Sequence, residues 1–405
     1  MKKTIFMILS LALVLVLFFA FTGAVGEPDA SRTASAEESN TIIVGVYEPL
    51  TGDEAEGGKK ELLGIRYANA LNPTVDVAGV TYDVQLLEID NESSAETAAL
   101  DGQYFAQQNV TAVIGSYGSA LSEAGTKALA DSGIPVIQPS CTKPGLTAVG
   151  GSVFRVCYDD RFQANVMANF ASSKGYKTAV VLTQQDDVYS ASLATCFADE
   201  FIRLEGNVFA YSYDKGQNKF QSIAEMIDSV KADVVFLPST VGSAANVIKQ
   251  LRRNGIDCPI LGGDSFDSAA LMESCSNYGR DVYFCSCFDE KDTSNEMAAE
   301  FAPKFVSWLS RDEKLFEMNS KSKVVSPFSA LGYDSYMVLL DALSRSETLD
   351  HEAVTLALAS TDLQGVTGEI SFDLDGALIE KHTYIKGFDV DKKEFAILQT
   401  SSVGK

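Results

Sequence analysis

Residues 112–130 read AVIGSYGSALSEAGTKALA, and this stretch decides the fold that the sequence predicts. Its first three residues are apolar and end at Gly115, which is typical of a buried strand that stops at a turn. From Leu121 onward, apolar residues recur at three- and four-residue steps, which indicates a helix packed on one face. The stretch is therefore a strand, a glycine-rich turn and a helix, and Ser119 is predicted as the N-cap of that helix.

The same unit repeats along the chain. Short runs rich in valine and isoleucine alternate with segments of helical period, which is the pattern of an open, mostly parallel α/β sheet flanked by helices. A first series ends near Ile137 and a second restarts near Thr178, so we predict two lobes, each with its own sheet. The predicted strands are 42–47, 82–89, 111–114, 135–137, 178–182, 207–213, 233–237, 259–261, 281–285, 382–390 and 394–398.

The C-terminal part of the chain does not continue this simple repeat. Helical patterns at 296–309 and 328–343 precede the two late strands. A block of this length is too long for a linker, so we predict that the chain crosses between the lobes more than once. The predicted division is residues 41–159 and 289–381 in lobe 1, and residues 160–288 and 382–405 in lobe 2.

The N-terminus has the layout of an export signal. Two lysines precede a mostly apolar run of 17 residues, 5–21, and small residues follow, which indicates a signal peptide over residues 1–25. The run is at the lower limit for a membrane span, so an uncleaved anchor is the alternative. Residues 26–40 are small and polar and indicate a flexible linker. We expect an exported protein, in the periplasm or on the outer face of the cell membrane.

Composition limits the partners and the chemistry of the chain. The net charge of −23 argues against nucleic acid and against an anionic membrane surface as partners. The two histidines, His351 and His382, fall in a helix-like segment and a late strand, so a serine nucleophile with a histidine base is not indicated. We expect no enzymatic activity, no cofactor and no metal.

Cysteines and paired aspartates leave alternatives open. The seven cysteines are an odd number for an exported chain and lack C-x-x-C spacing, so free thiols and disulfides are both possible. The segment 373–376, DLDG, resembles part of a calcium loop, but a hairpin turn explains it better. Helix capping explains the aspartate pairs at 159–160 and 186–187 better than acid/base chemistry does.

Polar, loop-forming residues follow the carboxyl ends of predicted strands in both lobes. Ligands bind at this edge in open α/β sheets, and two such edges across a cleft make a small-molecule site. Ser119 offers a hydroxyl and the free amides of a helix, which favour a small anion, and Ser140 and Thr142 are placed to share it. A phosphate loop would need a longer glycine run with a lysine. Ordinary capping and turn roles are the alternative.

The opposite edge offers a carboxylate. Asp264 follows two glycines after a predicted strand, so it is placed either to pair with a ligand ammonium or to cap the following helix. Tyr117 and Tyr189 lie in turns, where a tyrosine either walls a pocket or packs in the core.

Five stretches of the chain, taken in order, resemble the periplasmic binding proteins of branched-chain amino-acid ABC transporters, the leucine/isoleucine/valine-binding family. They are IIVGVYEPLTG, AVIGSYGSALSEAGTKALADSGIPVIQPSCT, VFRVCYDD, LRRNGIDCPILGGDSF and GVTGEISFDLDG. The resemblance runs from about Thr41 to the C-terminus. It implies the type I periplasmic binding fold, in which two lobes with three crossovers close on a ligand by hinge motion.

The resemblance also implies roles for single residues. For the ligand α-carboxylate these are Ser119, Ser140 and Thr142, lined by Tyr117 and Gly118, and on the second lobe they are Asp264 for the α-ammonium and Tyr189 as a wall. Two departures concern the side-chain pocket. Glu56 stands where relatives often have an aromatic residue, and the second-lobe tyrosine position falls on Thr240 or Val241. The amino-acid handle is kept, whereas the ligand side chain is open.

We therefore expect an extracytoplasmic solute-binding protein. It would act as a monomer, capture an amino acid or similar small metabolite by hinge closure, and deliver it to the permease of an ABC transporter. The alternative is the ligand-sensing module of a signalling system with the same fold, which an uncleaved N-terminal helix would favour.

Overall fold

The computed structural model of the chain describes residues 40–403 except residue 293. The predicted signal peptide and the predicted linker up to residue 39 lie outside the described residues. Within the described part, no helix is long and apolar enough to cross a membrane.

Strands and helices alternate over most of the chain. The strands are β1 (Thr41–Glu48), β2 (Thr74–Val77), β3 (Val80–Asp90), β4 (Ala112–Ile114), β5 (Val136–Gln138), β6 (Val153–Arg155), β7 (Thr178–Gln184), β8 (Asn207–Tyr213), β9 (Val234–Phe236), β10 (Ile260–Gly262), β11 (Val282–Ser286), β12 (Asp362–Gly365), β13 (Gly368–Ser371), β14 (Lys381–Asp389) and β15 (Glu394–Val403). The α-helices are α1 (Ala55–Leu71), α2 (Ala95–Gln107), α3 (Ser119–Leu129), α4 (Asp160–Ser173), α5 (Val188–Arg203), α6 (Gln221–Ser229), α7 (Val241–Arg253), α8 (Ala269–Ser274), α9 (Glu296–Leu309), α10 (Glu313–Met318), α11 (Pro327–Arg345) and α12 (His351–Ala359).

The strands build two main sheets. The first has the order β2-β3-β1-β4-β5-β6, and its pairs are parallel except for the antiparallel β2 and β3. The second has the order β15-β14-β11-β10-β9-β7-β8, in which β14 and β15 are antiparallel additions to parallel strands. The predicted fold class, two mostly parallel sheets flanked by helices, is confirmed.

The chain passes between the two sheets three times. It leaves the first sheet after β6, returns after β11 through helices of which α11 packs on α1, β4 and β5, and crosses again to add β14 to the second sheet. The tail therefore adds strands β14 and β15 to the second sheet and packs helix α11 on the first. Parallel strands keep their carboxyl ends at one edge, so each sheet presents one such edge with its loops.

Central strands are covered on both faces. Every residue of β4, β5, β9 and β10 is buried, which explains why these strands are apolar except for Gln138 at the end of β5. The edge strand β8 is mostly exposed. Burial thus follows position in the sheet.

Helices α1 and α11 approach each other backbone to backbone. A Cβ atom added at Gly64 would collide with the main chain of Ser329, and one added at Gly332 would collide with the main chain of Glu61. The Ser329 hydroxyl donates a hydrogen bond of 2.8 Å to the carbonyl oxygen of Lys60. This contact ties helix α1 to the C-terminal third of the chain.

Several short elements were not predicted as strands. β2 pairs with β3 through a turn in which Ala78 has φ 49° and Gly79 has φ 85°. Alanine is uncommon at positive φ, so the usual Asn-Gly hairpin signal is missing from this turn. The strand β6 and the hairpin of β12 and β13 were also missed, because runs of three or four residues carry little periodicity.

Two open questions of the sequence are answered. All seven cysteines are free thiols. The segment 373–376 is a turn, in which the Asp373 carboxylate accepts hydrogen bonds from the amides of Asp375 (3.0 Å) and Ala377 (2.9 Å).

Candidate functional site

A cavity of about 430 Å³ lies where the carboxyl-end loops of the two sheets face each other. The residues that line it from the first-sheet side are Glu54, Ser93, Ala95, Tyr117, Gly118, Ser119, Ala120, Leu121, Ser140 and Phe328, and those from the second-sheet side are Gln184, Gln185, Asp186, Asp187, Val188, Tyr189, Asp214, Lys215, Thr240, Asp264 and Ser265. All the predicted ligand residues except Thr142 are in this lining. We therefore take this cavity as the candidate site.

A second cavity, of about 470 Å³, lies at the crossovers between the sheets. Asp292, His382 and Tyr384 are among its lining residues. It contains none of the predicted ligand residues, so size alone does not make it the better candidate.

The start of α3 forms a seat for an anion. Ser122 makes the first main-chain bond of this helix, to the carbonyl of Gly118, so the amides of residues 119–121 precede it. Ser119 is 5% exposed, and its hydroxyl interacts with the thiol of Cys141. Free amides, the helix dipole and a hydroxyl held only by a weak thiol partner together favour a negatively charged group.

The predicted cap of this helix is wrong by one residue. The N-cap is Gly118, with φ 88°, and Ser119 is already helical. The left-handed conformation favours glycine, and it turns the chain so that Ser119 faces the cavity without capping the helix.

Contacts with buried residues fix the turn before α3. The amide of Tyr117 donates to Glu48 Oε2 at 2.8 Å, and the ring of Tyr117 packs edge-on against Phe328, with centroids 4.9 Å apart. A Cβ atom at Gly57 would collide with the Tyr117 ring. These contacts place Tyr117 as a fixed wall of the cavity.

Ser140 lines the same cavity, but its hydroxyl is hydrogen-bonded to a buried residue behind the cavity wall. Its hydroxyl donates to Glu61 Oε2 at 2.5 Å. Glu61 and Glu48 are both buried, and burial followed by the charge of Glu61 raises the pKa of Glu48 well above its usual range. Because two buried carboxyl groups disfavour each other's ionisation, Glu48 holds its proton more tightly than an exposed glutamate does.

Thr142 lies outside the cavity lining. It is buried, and its carbonyl oxygen accepts a hydrogen bond of 2.8 Å from the amide of Asp160 at the start of α4. Its role in binding the carboxylate stays a prediction.

Asp264 lies on the opposite side, at the start of a short 3-10 helix. Its Oδ1 accepts hydrogen bonds from the Tyr189 hydroxyl at 2.8 Å and from the amide of Ser265 at 3.0 Å. Asp264 is 7% exposed, and burial raises its pKa to about 6 although these hydrogen bonds lower it. The residue thus supports its own turn and presents a carboxylate to the cavity, which suits a ligand cation.

Of the two positions that depart from the family pattern, Thr240 lines the cavity and Glu56 does not. Thr240 is the N-cap of α7, makes no side-chain capping bond, and lines the cavity. Glu56 does not line it, because its carboxylate pairs with Lys60 at 3.4 Å and accepts a hydrogen bond from Ser320. The acidic residue of the first loop that does line the cavity is Glu54.

Sequence reasoning missed several lining residues, among them Glu54, Asp214, Lys215 and Phe328. The first three follow the carboxyl ends of β1 and β8. The rule that ligands bind past the carboxyl ends of parallel strands would therefore have found them. Phe328 comes from α11, far along the chain, and no local signal marks it.

Asp187 caps α5 as predicted, through a 2.6 Å hydrogen bond from the amide of Ser190, and it also lines the cavity.

The raised carboxyl pKa values predict how stability depends on pH. Burial raises the pKa of Glu54 to about 7 and that of Asp264 to about 6, and it raises those of Glu48 and Glu61. Each group then binds a proton more tightly in the folded than in the unfolded protein, so the free energy of unfolding falls as pH rises through the folded pKa values. We expect a melting temperature several degrees lower at pH 8 than at pH 5.5, measured by calorimetry at fixed ionic strength.

A matched variant identifies which carboxyl groups make the melting temperature depend on pH. Glu61→Gln keeps an acceptor for Ser140 and removes one acid, so its melting temperature should depend less on pH. His382 acts in the opposite direction, because burial lowers its pKa. A melting temperature that rises between pH 5.5 and 8 would contradict the expectation.

Comparisons with known proteins agree with this geometry. The family model described as periplasmic binding protein matches residues 41–386. A leucine-binding protein, LivK, from Thermotoga maritima has a similar structure, with a TM-score of 0.79, 28% sequence identity, and coverage of 89% of this chain and 98% of that chain. The substrate-binding protein LivJ of a branched-chain amino acid transporter from Streptococcus pneumoniae, in complex with isoleucine, gives a TM-score of 0.75 at 26% identity and covers 90% of this chain and 100% of that one.

Curated sequences give the same picture. A Leu/Ile/Val-binding protein homolog from Brucella melitensis is 24% identical over 288 residues, which are 70% of this chain and 76% of that protein. The resemblance inferred from five short stretches is therefore confirmed over most of the chain.

Proposed function

Because the chain belongs to the periplasmic binding protein family, we propose that it is the solute-binding protein of an ABC transporter and that its solute is an amino acid. One observation carries the proposal: an anion seat on the first sheet and a carboxylate on the second face each other across one cavity. Together they match the α-carboxylate and α-ammonium of an amino acid, and Ser119 and Asp264 are the residues that bind them.

Closure of the two sides around the ligand is part of the proposal. Three connections join the sheets and are suited to act as a hinge. At the cavity mouth, Lys215 Nζ lies 2.5 Å from Asp53 Oδ2, which links a loop after β8 to the loop after β1. This exposed pair stabilises the closed form by at most about 1 kcal/mol, so the ligand supplies most of the closing energy.

The bound form is then delivered to the membrane permease of the transporter. The protein acts as a monomer outside the cytoplasm and carries out no covalent step. The closed shape is what the permease would recognise, since both sides present their outer surfaces in one fixed arrangement only when the ligand is bound.

A ligand screen tests the proposal. The purified protein is melted with each of the twenty amino acids and, as a comparison, with non-amino-acid metabolites. A ligand at 100 times its dissociation constant adds about 2.7 kcal/mol of stability, which is readily seen as a rise in melting temperature. Binding of metabolites without any amino acid would reject the amino-acid assignment.

Ser119→Ala tests the anion seat. Because a hydrogen bond to a charged group contributes about 1.5–3 kcal/mol, we expect the affinity for the amino acid found by the screen to fall about 10-fold or more. Titration calorimetry measures the change, and Ser310→Ala, which removes an exposed hydroxyl at the end of α9, is the control. Equal affinities for the two variants would remove Ser119 from the site.

A further inference from the structure

Carboxyl groups outnumber cations in the cavity lining. The lining carboxyl groups belong to Glu54, Asp186, Asp187, Asp214 and Asp264, against the single ammonium of Lys215. That ammonium is already paired with Asp53 at the exposed mouth of the cavity. An amino acid bound as proposed brings one ammonium, which Asp264 takes. The charge of Lys215 acts on Glu54 and Asp187 as well as on Asp53, so one cation of the lining faces the remaining four acids.

Glu54 is the least satisfied of these acids. It is half-buried, and its amide nitrogen is fixed by a 3.0 Å hydrogen bond to the Ser93 hydroxyl. Its carboxyl carbon lies 3.9 Å from the position that a Cβ atom on Gly118 would occupy, so it is next to the anion seat. Within residues 40–403, no hydrogen bond or ion pair to the Glu54 carboxylate is seen.

Asp187 approaches Glu54 from the other side of the cavity. After burial, the charge of Asp187 is the largest cause of the raised pKa of Glu54. Asp187 is half-buried, accepts hydrogen bonds from the amide of Ser190 and, at 3.3 Å, from the side chain of Gln184, and belongs to the second-sheet side. Two carboxyl groups on opposite walls thus converge on one region of the cavity.

These acids are not arranged for a metal ion. In the part of the chain that the structure describes, no group of three or more histidine, cysteine, aspartate or glutamate side chains could hold one. The opposed carboxyl groups therefore fit an organic cation, whose several N–H donors can reach both walls at once.

We propose that the ligand is an amino acid with a cationic side chain, an ammonium or a guanidinium, bound between Glu54 and Asp187. This inference rests on the proposed function. The anion seat and Asp264 bind the common amino-acid part, and the two opposed acids select the side chain. A neutral aliphatic side chain would leave both carboxyl groups desolvated and without a cationic group of the ligand beside them when the cavity closes, which disfavours leucine and its relatives.

Titration calorimetry with L-lysine, L-arginine and L-leucine tests the proposal on the purified full chain at pH 7.5. We expect lysine or arginine to bind at least tenfold more tightly than leucine. In Glu54→Gln, which keeps the shape of the side chain and removes its charge, affinity for the cationic amino acid should fall about 10- to 100-fold, while affinity for leucine stays the same or rises.

Two further variants guard against an indirect effect. Asp187→Asn retains an acceptor for the α5 cap and should also weaken binding of the cationic amino acid. Glu352→Gln, an exposed acid on α12, should leave all affinities unchanged. Melting curves of the variants without ligand establish that each is folded.

The outcomes separate this inference from the function it depends on. Leucine that binds as tightly as lysine or arginine, with Ser119-dependent affinity, would overturn the cationic assignment and leave the amino-acid function standing. Unchanged lysine and arginine affinity in both Glu54→Gln and Asp187→Asn would overturn it as well. Failure of every amino acid to bind would overturn both.

Discussion

Replacing Asp264 with asparagine is expected to weaken amino-acid binding about 100-fold. The side chain is buried at the second-sheet wall and already accepts two hydrogen bonds on Oδ1, which asparagine can also accept. The change therefore removes the charge and largely spares the local structure. Losing one partner of a buried, hydrogen-bonded charge pair costs about 2–5 kcal/mol, which is why the effect is large.

Titration calorimetry with the amino acid that binds the wild type measures this loss. Asp257→Asn, an exposed position just before β10, is the matched control. Because burial raises the pKa of Asp264, the ligand-free variant should be at least as stable as the wild type at pH 8. A wild-type affinity in Asp264→Asn would exclude this carboxylate as the ammonium partner.

Replacing Gly64 with alanine is expected to lower the free energy of unfolding by about 3 kcal/mol. Helix α1 lies so close to α11 at this point that a methyl group would collide with the main chain of Ser329. Main chain cannot move aside as a flexible side chain can, so the two helices must separate and lose contacts along their length. Overpacking of this kind typically costs about 1–3 kcal/mol, and a collision with backbone lies at the upper end.

Gly242→Ala is the matched control for this experiment. This glycine is also in a helix, α7, but nothing lies within 4 Å of an added Cβ atom. Alanine is the better helix former, so the control should gain up to about 1 kcal/mol. Urea unfolding followed by circular dichroism measures both, and equal midpoints for the two variants would mean that α1 and α11 are not packed as described.

Much of the fold was predictable because its signals are local. The central strands read as apolar runs, since both of their faces are covered, and helices such as α9 were predicted with their observed bounds from periodicity alone. The hairpin of β2 and β3 was missed because its turn is Ala78-Gly79, whose left-handed conformation is set by pairing of the strands and not by residues that prefer it.

The candidate site was predictable in part for the same reason. Ser119, Ser140 and Asp264 follow the ends of parallel strands, and the topology of an open sheet brings strand ends to one edge. Glu56 was singled out in place of Glu54, because which of the two enters the cavity depends on where α1 begins and on the partners that occupy Glu56. Thr142 was included because it shares a proline-bounded loop with Ser140 and matches the family's carboxylate binders, and it is not among the residues that line the cavity.

By itself, the sequence determined the two-sheet architecture, the edge at which we propose that a ligand binds and the family to which the chain belongs. These follow from periodicity, glycine placement and the order of short motifs, all of which act over a few residues. Only the tertiary structure decided that Glu54 and Asp187 oppose each other and that Glu61 lies beneath Ser140. Such pairings join positions far apart in the chain, and their electrostatics depend on burial, which no local pattern encodes.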